Sequence, residues 1–221
     1  MDSSKSIVAL FDFDGVVMDT ESQYTIYWDE VGRKYYPQQE NFGHIIKGMT
    51  LVQIYDKYFS GMTEEQNEIT EGLDEFEKNM TFQYIDGVVD FMCELRQHGV
   101  KMAIVTSSNN KKMDRVYAAH PELKDMVDEI LTSERFTRSK PNPDCFLLGA
   151  EVFQSVAENC VVFEDSFHGL QAGQSADMLV VGLSTTNSAQ SIAGKCDKVI
   201  PDFTSFGYAD FMSLLGMEKA K

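Results

Sequence analysis

Short apolar runs that stop abruptly at polar residues recur along this chain, and they limit its fold more than any other feature. Ile7 to Phe11 (IVALF) ends in Asp12-Phe-Asp14-Gly15, Lys101 to Val105 (KMAIV) in Thr106-Ser107-Ser108, and Cys160 to Phe163 (CVVF) in Glu164-Asp165-Ser166. Met178 to Val181 (MLVV) is a further run, with weaker ones at Glu129 to Leu131 and Lys198 to Ile200. Uninterrupted apolar runs of this length are the pattern of strands buried on both faces. The segments between them have helical spacing: Gly87 to His98 puts Val88, Phe91, Met92 and Leu95 on one face and stops at Gly99, a C-terminal cap residue type. Pro143 to Phe153, Phe167 to Ala176 and Phe203 to Leu215 read the same way. Strands alternating with amphipathic helices predict an α/β fold whose mostly parallel sheet binds ligands outside the carboxyl ends of its strands.

One region breaks the alternation. Between Glu21 and Ile85 no strand pattern occurs, only helical segments around Tyr24 to Val31, Leu51 to Phe59 and Glu64 to Met80, with Gly43 to Thr50 as the expected loop. An all-α insert over residues 19–86, in a core made of 1–18 and 87–221, is the expected organisation. The 221 residues, 43% of them hydrophobic, can bury a real core without staples. A net charge of -16 argues against nucleic acid and anionic membrane surfaces as partners. An acidic protein can still bind an anionic substrate where a metal ion and a few local cations reverse the field. Cys93, Cys145, Cys160 and Cys196 are too scattered for a zinc site or a disulfide framework. Met1 to Lys5 is too short and polar for a signal segment, and no apolar run approaches the roughly 20 residues of a membrane span. A cytoplasmic protein, monomeric or weakly homo-oligomeric, is the expectation.

The polar strand ends, with Lys140-Pro141-Asn142-Pro143 between the second and the last, together make a kit for phosphoryl transfer. A carboxylate can attack phosphorus and split one displacement into two easier ones. Asp12, the first polar residue after its run, is the candidate nucleophile, and Asp14 two residues on is the candidate acid and base. Two carboxylates facing a phosphate need a divalent cation. Magnesium, which prefers oxygen ligands, fits Asp12, Asp14 through its carbonyl, Asp165, and Glu164 through water. Lys140 adds positive charge, and Thr106 a hydroxyl near a helix start. Each motif alone reads equally well as a cap or a turn; the order of the four carries the argument.

In that order DFDGVVMDTE, TSS, KPNP and FEDSFHG resemble the four motifs of the haloacid dehalogenase superfamily, and the resemblance covers essentially the whole chain. It is nearest to the beta-phosphoglucomutase and phosphoglycolate phosphatase-like group. The resemblance implies a Rossmann-like core, a helical cap inserted after the first strand, magnesium, and the roles given above. The second aspartate of the first motif points to phosphate chemistry, not dehalogenation.

Departures from the mutase pattern bear on the reaction. Tyr24 stands where the mutases carry a cap-hinge histidine, Leu51 stands where an arginine grips a distal phosphate, and the Glu64 to Lys78 helix is mostly acidic. A phenol cannot shuttle protons near neutral pH as imidazole can. Lys47 and Gly48 match the mutase cap loop, Asn110 matches a mutase substrate contact, and Ser107, Ser108 and His44 join them as expected substrate contacts. His168 reads as a rim or helix-start residue, His98 and His120 as helix ends, and Trp28 with its neighbouring tyrosines as cap core. The reading is a magnesium-dependent phosphatase for a small phosphate monoester such as a sugar phosphate. Its alternatives are a phosphomutase, an inorganic pyrophosphatase and, remotely, a non-catalytic binding module.

Overall fold

The computed structural model describes residues 6–47 and 49–216. In chain order the elements are β1 (Val8–Phe11), α1 (Glu21–Tyr35), α2 (Phe42–Ile45), α3 (Leu51–Tyr58), α4 (Thr63–Lys78), α5 (Val88–Gln97), β2 (Lys101–Val105), α6 (Asn110–Ala119), α7 (Leu123–Met126) and β3 (Glu129–Leu131). There follow α8 (Asp144–Val152), β4 (Cys160–Glu164), α9 (Phe167–Ser175), β5 (Leu179–Leu183), α10 (Ala189–Ile192), β6 (Lys198–Ile200) and α11 (Tyr208–Gly216). The six strands form one parallel sheet in the order β3-β2-β1-β4-β5-β6, so every apolar run read as a strand is one. The core is the expected Rossmann-like α/β layer.

Side chains alternate across a strand, and here the alternation sorts the core into two faces. Ala9 and Phe11 join one buried cluster with Phe91, Phe163, Phe203 and Phe211, while Val8 and Leu10 join another with Phe146, Val162 and Leu170. Phe11 of β1 stacks on its register partner Phe163 of β4, with centroids 4.8 Å apart and planes at 9°. The chain leaves β1 for β2 on one side of the sheet and reaches β4 on the other. The order therefore reverses between β1 and β4, and the crevice that opens there is where such sheets bind ligands.

Helices α1 to α4 build a third cluster from Trp28, Val31, Phe42, Ile46, Ile54, Phe59 and Ile69. Aromatic contacts hold it, with Tyr36 stacked on Phe42 at 5.4 Å. A capping box starts α3, where Thr50 Oγ1 accepts from the Gln53 N–H and the Gln53 side chain accepts from the Thr50 N–H.

Two local expectations need correction. Gly43 to Thr50 is not all loop, because the Gly43 N–H donates to Asp29 Oδ1 at 2.8 Å and a helical turn forms over Phe42–Ile45. The last helix begins at Tyr208, not Phe203: the Phe203 N–H is taken by the Asp86 carbonyl, and Phe203 and Phe206 reach the core from a loop. No helix among the described residues is long and apolar enough to cross a membrane.

Candidate active site

Because β1 and β4 are neighbours, Asp12 at the end of one lies beside Glu164 and Asp165 at the end of the other. One carboxylate oxygen from each of the three lies within 4.8 Å of the others, and all three residues are buried. Lys140 Nζ sits among them, 2.6 Å from Asp12 Oδ1 and 2.7 Å from Glu164 Oε1. Burial alone would lower the Lys140 ammonium, but the carboxylates of Asp12 and Glu164 outweigh it and raise it. Lys140 comes from the connection between β3 and α8, not from a strand end.

Burial, with the charges of Glu164 and Asp14, pushes Asp12 up to about 7 against the pull of Lys140. Burial first, then the charges of Glu164, Glu21 and Asp12, raises Asp165 well above the usual carboxylate range. Among the described residues Asp165 Oδ2 is buried without a well-formed hydrogen bond, although the Thr186 hydroxyl lies near enough to oppose part of that rise. Carboxylates crowded this way fit a hard divalent cation, which would neutralise them and satisfy the free oxygen. Glu164 Oε2 is already engaged, accepting the Asp165 and Ser166 N–H groups at 2.8 Å each and the Ser166 hydroxyl at 3.0 Å.

Glycines let the backbone approach this cluster. A Cβ on Gly15, which has φ +78°, would lie 2.0 Å from Asp165 Oδ2, and one on Gly169 would lie 1.7 Å from Glu164 Oε1. The loop after β5 closes the site from below, with the Thr185 hydroxyl on the Gly15 carbonyl at 2.6 Å and Asn187 Nδ2 on the Asp165 carbonyl at 2.9 Å.

The Asp14 side chain stands apart from the cluster. It accepts from Lys112 Nζ at 2.5 Å, from the Ser108 hydroxyl at 2.9 Å and from the Thr20 hydroxyl. Burial would raise this carboxyl, yet the Lys112 ammonium and the three hydrogen bonds hold it below the usual value. Lys112 is itself buried, with the Tyr24 ring 4.5 Å from its Nζ. The Tyr24 hydroxyl donates to Glu77 Oε1 at 3.0 Å, and burial raises this phenol well above its usual range.

A cleft of about 810 Å³ separates the sheet from the inserted helices and holds Asp12, Asp14, Lys140, Glu164 and Asp165 on its floor. Ser107 and Ser108 line the sheet side, and Lys47, Glu21, Tyr24 and Glu77 line the helical side. The two walls are clasped at one end, where Lys111 and Arg115 of α6 pair with Asp74 and Glu77 of α4, Arg115 to Asp74 at 3.6 Å. Elsewhere Gln53 Nε2 donates to the Lys140 carbonyl at 3.1 Å.

Not every expected residue faces this cleft. Thr106 is fully buried beneath the wall, its hydroxyl accepting the Ser108 N–H at 3.0 Å. Asn110 turns away, accepting from the Thr132 hydroxyl at 2.9 Å and donating its N–H to Glu134 at 3.0 Å. His44 is exposed on α2 and not on the wall, and Gly48 lies outside the described residues. Sequence reasoning missed Thr20, Glu21, Glu77, Lys112 and the Thr185 to Asn187 loop. For Lys112 a signal existed: it shares a helix face with Val116 four residues on, where a solvated lysine does not belong.

A parallel α/β sheet thus carries a carboxylate cluster and a buried lysine at its switch point. The haloacid dehalogenase-like hydrolase family model matches residues 9–183, and the chain belongs to that family. It is similar to Hexitol phosphatase A of Escherichia coli, at 28% identity over 79% of this chain and 82% of that protein. It is also similar to Beta-phosphoglucomutase of Bacillus subtilis, at 24% identity over 79% and 81%. The match to SUPPRESSOR OF QUENCHING 1 of Arabidopsis thaliana, 32% identical, spans 52% of this chain but only 11% of that longer protein. A solved family IA haloacid dehalogenase hydrolase from Entamoeba histolytica shares the fold, with TM-score 0.82, 18% identity, and coverage of 96% of this chain and 100% of that one.

Proposed function

We propose that this chain is a magnesium-dependent phosphatase that hydrolyses a small phosphate monoester, of the sugar phosphate kind, through an aspartyl-phosphate on Asp12. The observation that carries the reading is the cluster of Asp12, Glu164 and Asp165 with Lys140 Nζ among them. Magnesium held by Asp12 and Asp165, with the Asp14 carbonyl and Glu164 in support, would neutralise these carboxylates and draw charge from the phosphoryl oxygens. In the first step an Asp12 carboxylate oxygen bonds to phosphorus as the bond to the leaving oxygen breaks, and Asp14 gives that oxygen its proton. In the second, Asp14 takes a proton from water as the water oxygen attacks phosphorus, releasing phosphate and restoring Asp12.

The Lys112 contact holds Asp14 as the carboxylate that the second step uses. The first step requires that contact to loosen as the leaving oxygen enters. Lys140 steadies the transferring group, and Ser107 and Ser108 flank it. Residues 19–86 act as a cap: closed, they exclude bulk water, and open, they exchange substrate and product.

The chain is similar both to a relative named as a phosphatase and to one named as a mutase. Tyr24, a buried phenol bonded to Glu77 where mutases carry a histidine, favours hydrolysis. A panel of sugar phosphates with magnesium decides it: stoichiometric free phosphate is expected, and isomerised sugar phosphate without free phosphate would overturn the reading.

A further inference from the structure

The loop after β5 reads Ser184-Thr-Thr-Asn-Ser188, five polar and uncharged residues in a row. Its ends are structural: the Ser184 N–H donates to the Ile200 carbonyl at 2.9 Å, and the Ser188 hydroxyl caps α10 by accepting the Ser191 N–H at 3.3 Å. The middle three residues turn to the acidic cluster. β5 pairs with β4 as far as Gly182 and Glu164, so the chain leaving β5 runs beside the chain leaving β4. There the Thr185 hydroxyl donates to the Gly15 carbonyl at 2.6 Å and Asn187 Nδ2 to the Asp165 carbonyl at 2.9 Å, which ties down the turns that carry the Asp14 carbonyl and the Asp165 side chain. Thr186, between them, has no such bond. Its Oγ1 is buried, and so is Asp165 Oδ2, each without a well-formed hydrogen bond among the described residues. Both atoms border one spot: a Cβ on Gly15 would stand 2.0 Å from Asp165 Oδ2 and 2.9 Å from Thr186 Oγ1. None of the three residues lines the cleft, so contact with substrate does not explain them.

Building on the magnesium-dependent reading, we propose that Thr186 is a positioning residue of the cation site: its hydroxyl donates to one Asp165 oxygen when the cation takes the other, while Thr185 and Asn187 hold the ligand-bearing turns. Buried polar atoms are nearly always hydrogen-bonded, so a hydroxyl and a carboxylate oxygen left open side by side need a reason. A carboxylate that binds a metal through one oxygen is oriented by a hydrogen bond to the other, and the loss of such outer contacts weakens the metal. Hydroxyls and a carboxamide suit the task, because they donate without the positive charge by which a lysine would repel the cation. Lys140 and Lys112 already hold Asp12, Glu164 and Asp14, and Asp165 takes no part in those pairs. In the metal-free protein the Thr186 hydroxyl therefore contributes nothing to the fold, and its contribution begins when the cation binds.

The test is a magnesium titration of the metal-stripped protein by thermal scans, in which the concentration needed for a given rise in melting temperature reads the affinity. Thr186→Val, which keeps the shape and removes the hydroxyl, is expected to need ~10-fold more magnesium, while melting in EDTA at the wild-type temperature. Thr186→Ser is expected to titrate as the wild type does. Ser188→Ala, which removes only the α10 cap, is expected to do the reverse of Thr186→Val, with a lower melt in EDTA and an unmoved titration. A Thr186→Val titration that coincides with the wild type's, a Thr186→Ser no better than Thr186→Val, or a titration moved as far by Ser188→Ala overturns the proposal. So does a wild-type melt that does not respond to magnesium. A lower melt in EDTA, or no folding, for both Thr186→Val and Thr186→Ala overturns it as well, because a hydroxyl without a partner in the metal-free protein cannot be needed there. Failure of the phosphatase reading would look different: the titrations would separate as expected while the wild-type protein released phosphate from no ester.

Discussion

The two walls of the cleft are built on different terms. The sheet wall takes its groups from strand ends, the buried loop lysine Lys140 and the buried Lys112 of α6, held by contacts of 2.5 to 2.7 Å. The helical wall carries its charge in a pair 4.0 Å apart and rests on an aromatic cluster separate from the sheet's. The difference teaches that the candidate chemical groups are tightly paired on the sheet wall, while the helical wall faces them with a more widely spaced charge pair. A group held by strands on both sides cannot drift, and the helical wall can change its residues without disturbing the sheet.

The largest expected effects attack the chemistry on the sheet wall. Asp12→Asn should cut steady-state phosphate release by roughly 10⁴-fold or more, with the far-ultraviolet spectrum unchanged. Next come the two cores. Phe163→Ala, in the sheet cluster, should cost ~3–5 kcal/mol in denaturant melts through the cavity it leaves. Phe59→Ala, in the helical cluster, should instead raise amide exchange across residues 21–78 while β1 and β4 stay protected. Loss of protection in both regions would break the comparison.

Metal should stabilise the sheet wall in a pH-dependent way. The folded protein holds protons on Asp12, raised to about 7, and on Asp165, also raised, that the unfolded chain gives up near 3.8. The metal-free protein therefore loses stability as pH rises from about 4 through 7, since the native state binds more protons than the unfolded one. Magnesium removes that penalty, so the shift in melting temperature it produces should be larger at pH 8 than at pH 5.5. At a hundredfold excess over Kd the gain is ~2.7 kcal/mol, read by thermal scans.

The smallest effect belongs to the clasp between the walls. Asp74→Asn should lower kcat/KM by about threefold to fivefold, as its partly exposed pair with Lys111 contributes roughly 1 kcal/mol or less. Raising salt to 1 M should lower the wild-type protein's kcat/KM similarly and the variant's less. A salt response undiminished by the substitution would place closure elsewhere.

The sheet wall was largely legible in the sequence and the helical wall was not, for a physical reason. Buried parallel strands are uninterrupted apolar runs, so the four central strands announce themselves while the short, half-buried edge strands β3 and β6 show only weakly, and the polar residue that ends a central run lies at or next to the strand's end. Asp12, Lys140, Glu164 and Asp165 are brought together as their motifs suggest. On helices and turns, side-chain direction depends on dihedrals that composition does not reveal. Asn110 and His44, both expected from the sequence to contact substrate, do not line the cleft: Asn110 is turned to Thr132 and His44 is exposed on α2. Lys112 hid beside Lys111, where two adjacent lysines look like a solvated face, and Thr185 to Asn187 carry no charge to flag them.

The claim on which the rest stands is that Asp12 carries the phosphoryl group. Acid quench within milliseconds of mixing the protein and magnesium with a [³²P]phosphate ester that it turns over tests it most directly. The account requires acid-stable label on the peptide containing Asp12, absent from Asp12→Asn. Release of phosphate at full rate with no protein-bound label, or undiminished turnover by Asp12→Asn, would contradict it.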